Sequence, residues 1–154
     1  MSAYVLEREQ WLPAPLPRVF AFFADPGNLE TITPPWLGFR IRSALPVALE
    51  PGARLDYSLR LGPLPLRWRT RIPIWEPEKR FVDVQERGPY ALWEHSHEFT
   101  PLGGGVLMRD VVRYALPFGP LGALAHALLV RALLARIFDF RFARVREIFA
   151  AGGR

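Results

Sequence analysis

The segment RFVDVQERGPYALWEHSHEFT (residues 80–100), followed by PLGGGVLMRDVVRYAL (residues 101–116), decides how this chain is read. Successive side chains of a strand point to opposite faces. In residues 91–100, Trp93, His95, His97 and Phe99 therefore share one face, and Leu92, Glu94, Ser96 and Glu98 share the other. The acidic face goes to water, so both histidines point inward. In residues 106–116 the arginines at 109 and 113 mark the outer face, leaving Met108, Asp110, Val112 and Tyr114 inside. In residues 80–86, Phe81, Asp83 and Gln85 are read as the inner set. Turn signals at Gly88-Pro89 and Gly103–Gly105 leave too few residues for a parallel crossover, so the neighbours are antiparallel. Pairing around those turns sets Asp83 opposite His95 and His95 opposite Asp110. An Asp–His–Asp row then crosses three strands, with His97 and Gln85 nearby.

Working outward, strand-like runs fall at Phe39–Leu45, Arg54–Leu61 and Leu66–Trp75, and residues 3–12 alternate as a first strand. Arg67, Arg69 and Arg71 face out, so Trp68, Thr70, Ile72 and Ile74 face in, as do Leu55, Tyr57, Leu59 and Leu61. Pro73 inside its run implies a bulge or an unpaired edge. Between the first two strands, Arg18–Ala24 carries a helical apolar cluster, and Asp25-Pro26 ends it and caps a second short helix over 27–31. After Pro117 the period changes. Leu121–Phe149 reads as one long helix, with Leu124, Leu128, Leu134, Ile137, Phe138, Phe142, Val145 and Phe149 towards one face. Arg131, Arg136, Arg141, Arg144 and Arg146 supply its polar remainder. Seven antiparallel strands twist and curl, and a long helix can cover their concave face. The expected architecture is one α+β domain over residues 1–154, enclosing a cavity between a curved sheet and its C-terminal helix.

Composition removes several function classes. There is no cysteine, which excludes disulfides and thiolate chemistry. The net charge is +5, but only Lys79 among the 20 basic residues is a lysine, and the arginines are spread rather than bunched. Nucleic-acid binding is not expected from so diffuse a footprint. The alternating, charged N-terminus reads as neither signal peptide nor anchor. Tyr114–Val130 is strongly apolar, but Pro117, Gly119, Pro120, Gly122 and His126 interrupt it, and it is read as too broken to span a bilayer. A cytoplasmic location is expected. No nucleophile elbow, phosphate loop or HExxH helix is present, and no cofactor is expected. His95 and His97 stand two apart on one strand face, a metal-capable spacing, yet the only other histidine is His126 on the helix, and no metal site is expected.

The element order resembles the helix-grip fold of the START and polyketide cyclase/dehydrase-like (SRPBCC) superfamily. The likeness is carried by Thr33-Pro-Pro-Trp36, Trp68-Arg-Thr-Arg-Ile72, Phe81-Val-Asp-Val-Gln85, Gly88-Pro-Tyr90, Trp93-Glu-His-Ser-His-Glu-Phe99 and Asp110-Val-Val-Arg-Tyr114. It covers nearly the whole chain and carries no reaction signature. It implies lipid carriers, hormone receptors or cyclases, among which the fold does not decide.

Three readings of the Asp–His–Asp row stand open: a satisfied structural network, a polar anchor for a ligand, or an acid/base pair. The first function to follow is binding of a small hydrophobic molecule, such as a lipid, isoprenoid or polycyclic aromatic. Tyr57, Trp68, Thr70, Ile72, Trp93, His95, His97, Phe99, Met108, Asp110 and Tyr114 would line its site. The second is a cyclase/dehydratase in which His95, Asp110 and Asp83 move protons. The third is a regulatory interaction module. The Pro/Gly-led run from Leu116 to Val130 is read either as the buried start of the helix or as a lid able to touch a membrane transiently, with arginines meeting anionic headgroups.

Overall fold

Alternation and turn chemistry produce the expected meander. In the computed structural model, which describes residues 3–45 and 49–151, the elements are β1 (Tyr4–Leu12), α1 (Leu16–Ala24), β2 (Arg40–Ile41), β3 (Ala53–Leu61), β4 (Leu64–Glu76), β5 (Arg80–Arg87), β6 (Leu92–Leu102), β7 (Gly105–Ala115), α2 (Gly119–Ala125) and α3 (Arg131–Ala151). One antiparallel sheet has the order β1-β7-β6-β5-β4-β3-β2. The first strand therefore closes the edge that the last would leave open. Pro17 sits in the first turn of α1, where its missing N–H costs nothing. The Asp25 carboxylate accepts the Gly27 N–H at 2.9 Å and caps a 3₁₀ turn, Pro26–Leu29, where the sequence suggested a short helix. A second 3₁₀ turn spans Pro35–Leu37. The expected strand over Phe39–Leu45 contracts to Arg40–Ile41.

Two registers decide what faces the interior. Asp83 lies opposite His95, as the turn before Tyr90 required. Between β6 and β7, however, His95 faces Val112 and His97 faces Asp110, two residues away from the expected pairing. The cause is a tight turn closed by Leu102 and Gly105, with Gly103 and Gly104 both at positive φ (58° and 79°). A two-residue hairpin turn needs that left-handed pair, and its centre sits one residue later than a looser loop would place it. In β4 the register shifts between Arg71 and Ile74, the bulge that Pro73 announced. The bulge exchanges the faces beyond it. Trp75, not Ile74, turns inward, pairing with Phe81 and packing at 5.1 Å from its ring and 5.3 Å from Phe20.

The long helix departs from a simple amphipathic reading. Leu134, Phe138, Val145 and Phe149 are buried, but Leu124, Leu128 and Phe142 are exposed. The reason for Leu124 and Leu128 is a π-turn over His126–Val130, in which the Arg131 N–H donates to the His126 carbonyl. Leu134 and Gly122 stand twelve residues apart. A continuous α-helix would carry Gly122 about 120° past three full turns, whereas absorbing one residue in the wide turn leaves about 20°. Gly122 and His126 thus stay on the face that meets the sheet, and Leu124 and Leu128 are rotated away from it.

Pro120 lies in the first turn, so the prolines do not interrupt the helix as the sequence suggested. By length and composition alone Gly119–Ala150 would suffice to cross a membrane. Its C-terminal half is committed to the protein core instead.

Gly122 packs so closely on the Pro117 carbonyl that a Cβ would collide with backbone. Gly122→Ala is expected to lower stability by about 1–3 kcal/mol. Leu121→Ala, one residue away and exposed, should change it by no more than about 0.5 kcal/mol in the same thermal melts.

Candidate functional site

Period-two alternation carries Asp83 on β5, His95 and His97 on β6, and Asp110 on β7 to the concave face, where all but Asp83 are buried. Their short bonds run along the diagonals. His95 Nε2 lies 2.7 Å from Asp110 Oδ1, and His97 Nε2 lies 2.6 Å from Asp83 Oδ2. The directly opposed pairs are longer, 3.8 Å for His95 Nδ1 to Asp83 and 3.4 Å for His97 Nδ1 to Asp110. The imidazoles stack, centroids 3.7 Å apart, and Phe81 stacks on His97 at 4.1 Å. The expected row is therefore a four-membered cluster, with both histidines between two carboxylates.

A fifth member was missed in the sequence. Arg141, assigned to the outer face of the helix, turns inward, its Nη2 3.9 Å from Asp110 Oδ1 and its guanidinium 5.6 Å from the Phe23 ring centroid. Its signal was present: 134, 138, 141, 145 and 149 follow the three-and-four spacing of one buried stripe. Burial would raise Asp110, but the Arg141 charge and the His95 hydrogen bond outweigh it and hold the carboxyl well below its ordinary range. Burial opposes ionisation of Asp83 too, and the His97 hydrogen bond and the nearby cations overcome it. His97 is pushed the other way, down to about 4, by burial first and then by His95 beside it.

These directions fix the protons. A carboxylate only accepts, so both Nε2 atoms carry hydrogen. A neutral His97 then has a bare Nδ1, and that atom is buried without a hydrogen-bond partner among the described residues. Two carboxylates against one guanidinium leave one negative charge. Asp83, His95 and His97 also offer three donor atoms within 4.8 Å of one another. Stacked rings, however, set their lone pairs side by side rather than converging on one point. A cation there would have to displace the protons that bind the carboxylates.

Beside this cluster, the Tyr57 hydroxyl donates to Thr70 Oγ1 at 2.6 Å, and Trp68 Nε1 donates to the same oxygen at 3.1 Å. Whichever hydroxyl donates in the Tyr57–Thr70 contact, one O–H hydrogen remains without an acceptor among the described residues. Burial, with the Asp83 charge adding to it, raises the Tyr57 phenol well above its ordinary range, so it stays a donor.

Both groups border a cavity of about 220 Å³ between the sheet and α3. That is far more than the ~10–15 Å³ a single water needs. Tyr57, Trp68, Thr70 and Ile72 line it, as do Trp93, His95, His97 and Asp83. Four residues expected there lie elsewhere. Phe99 and Met108 pack in the core beside α1, and Asp110 sits behind His95. Tyr114 turns to His126, its hydroxyl 2.7 Å from Nε2, while Tyr4 stacks on that imidazole at 3.5 Å. The opposite wall includes Leu133, Ile137 and Phe138 of α3, with Leu37 and Phe39 from the segment before β3. Gln85 closes the turn after β5 by bonding both the N–H and the carbonyl of Tyr90, which places the Tyr90 ring 4.9 Å from Trp93.

Residues 12–141 match the family model described as polyketide cyclase / dehydrase and lipid transport. No curated protein matches the chain significantly. Among solved structures, TTHA0849 from Thermus thermophilus aligns with a TM-score of 0.71 at 20% identity, covering 98% of this chain and 100% of its own. The Zhui aromatase/cyclase from Streptomyces sp. R1128 aligns at 0.68 and 15%, covering 99% and 100%. Ara h 8.0201 aligns at 0.67 and 13%, covering 97% and 99%. Identities this low show a shared fold.

Because folding lowers the His97 pKa to about 4 from 6.5, the unfolded chain binds the extra proton between those values. Stability therefore rises with pH through that window and is lost on acidification. Asp83 and Asp110, lowered on folding, add a loss below about pH 4. His97→Gln removes the first effect. Between pH 7 and 4.5 the parent should lose about 2–3 kcal/mol more than the variant in denaturant melts. Parallel curves would refute the proton assignment.

Proposed function

The chain belongs to the polyketide cyclase/dehydrase and lipid transport family, and from that premise we propose that it binds a small hydrophobic molecule carrying an oxygen function at one end. Members of this family bind hydrophobic ligands or act as polyketide cyclases. The observation that carries the choice is that the short hydrogen bonds of His95 and His97 are spent on Asp110 and Asp83. Asp110 is shielded by His95, and the bare His97 Nδ1 faces Asp110 rather than the cavity. What the cavity meets is an apolar wall, one surplus hydroxyl hydrogen at Tyr57–Thr70, the Asp83 carboxylate, the His95 and His97 side chains bonded to the acids, and Arg141. That set orients a ligand and supplies little general-base chemistry. A lipid, isoprenoid or polycyclic aromatic with a carbonyl or hydroxyl end fits it. In this reading the chain is one cytoplasmic domain that needs no cofactor or nucleic acid and exchanges its ligand at a membrane surface.

A second reading is a cyclase/dehydratase. It is favoured by one observation: Asp83 and the Tyr57–Thr70 donor border the same cavity, so proton removal and carbonyl polarisation could act on one substrate. His95→Gln separates the two, since a binder keeps its affinity or changes only that, whereas an enzyme loses turnover with affinity retained.

Native mass spectrometry of protein from its own host, followed by denaturing extraction, is expected to show a hydrophobic molecule near one-to-one. The double variant Tyr57→Phe/Thr70→Val should weaken a polycyclic phenol probe by about five- to tenfold, the worth of one hydrogen bond, and leave the parent hydrocarbon unchanged. Equal losses for both probes would defeat the polar-end assignment.

A further inference from the structure

The segment from Phe118 to Val130 has no charged side chain, and of its residues only Gly122 and His126 are buried. Phe118, Leu121, Leu128 and Leu129 are 80, 72, 74 and 61% exposed. The segment is anchored through Gly122 against Pro117 and through His126 between Tyr4 and Tyr114, and the rest of its surface is hydrocarbon. A patch of this kind marks a contact with another apolar phase.

The charges beside it say which phase. No acidic residue occurs between Asp110 and Asp139. Arg131 and Arg136 follow directly on the helix, both exposed, and neither has a carboxylate within ion-pair distance among the described residues. The Arg136 guanidinium instead lies 5.0 Å from the centroid of the Trp36 ring, itself half exposed. Hydrocarbon, an interfacial tryptophan and unpaired arginines in succession are the layers of an anionic membrane surface met from the inside out. A partner protein would call for polar groups in the patch, at roughly one hydrogen bond per 100–200 Å², and Phe118–Val130 offers no exposed polar side chain. A second copy related by a twofold axis would present the same two arginines and no acid to meet them.

One stripe joins this surface to the cavity. Leu129, Leu133 and Ile137 are spaced by four on the helix, and the latter two line the cavity while the first is exposed.

We propose that Phe118–Val130 is a membrane-docking element that lies in the headgroup–acyl boundary of an anionic bilayer, held by Arg131 and Arg136, with the Leu129–Leu133–Ile137 stripe as the ligand's path to the cavity. The path rests on the ligand-binding reading, whereas the docking itself does not. The full chain is therefore tested for flotation with vesicles of phosphatidylcholine alone and of equimolar phosphatidylcholine and phosphatidylglycerol, with native mass spectrometry of the same preparations. The expected result is at least about tenfold stronger binding to the anionic vesicles, reduced by salt. Leu121→Asp/Leu128→Asp should abolish it with the melting temperature and the co-purifying ligand unchanged. Arg131→Gln/Arg136→Gln should remove only the anionic preference. No flotation at low salt, flotation indifferent to Leu121→Asp/Leu128→Asp, or a dimer that this variant converts to monomer would each overturn the docking proposal. Docking with an empty cavity would overturn the ligand reading and leave the membrane contact standing.

Discussion

Strand alternation drives Asp83 and Asp110 into the concave face of the sheet, and two carboxylates cannot lie there without compensation. That electrostatic demand organises what surrounds them. Two imidazoles fill the space between the acids, each giving one N–H to a different carboxylate. One of the two charges, that of Asp110, is met from α3 by Arg141. Since Arg141 shares its stripe with Leu134, Phe138, Val145 and Phe149, meeting Asp110 also sets the rotation of α3 about its axis. With α3 fixed in this way, Gly122 and His126 reach the sheet only if the helix loses a residue's worth of rotation, and the π-turn provides that.

The same arrangement divides the cavity chemically. Along β3 and β4 it offers hydrocarbon and a single hydroxyl hydrogen, along β5 and β6 it offers a carboxylate with the two histidines, and Arg141 reaches it from α3. A ligand meeting such a wall is held at one end by direction-dependent bonds and along its body by area. Recognition of this kind constrains where the oxygen sits more tightly than what the carbon skeleton is.

Much of this was legible from the residues, and the departures have physical causes. Charged outer faces and turn residues gave the antiparallel strands from Arg54 onward and the inward direction of Tyr57, Trp68, Thr70, Asp83, His95 and His97, because a half-buried antiparallel strand writes its two faces into alternate positions. The place of β1 beside β7, in contrast, is a long-range pairing that no turn announces. The Asp83–His95 pairing followed from the turn that joins their strands. The next register slipped by two because LGGG admits several turns, and only the backbone conformation of Gly103 and Gly104 selects one. Ile74 and Trp75 exchanged roles because Pro73 signals a bulge without saying which side it favours. Arg141 was misassigned because arginine reads as surface in a helical pattern, and only the charge buried on β7 explains its direction. Leu124 and Leu128 were misplaced because a π-turn leaves no mark in a 3.6-residue periodicity.

That π-turn works as an expansion joint. Each residue of an α-helix advances the direction of its side chains by about 100°, and the wide turn absorbs one such step, so removing one residue between His126 and Val130 would restore regular α geometry and leave the outer helix at its present angle. The inner helix, gripped by Arg141 and the aromatic core, would keep its place. A lineage could thus gain or lose that one residue without re-aiming the apolar outer segment or moving the walls of the cavity, because the joint takes up the change in length.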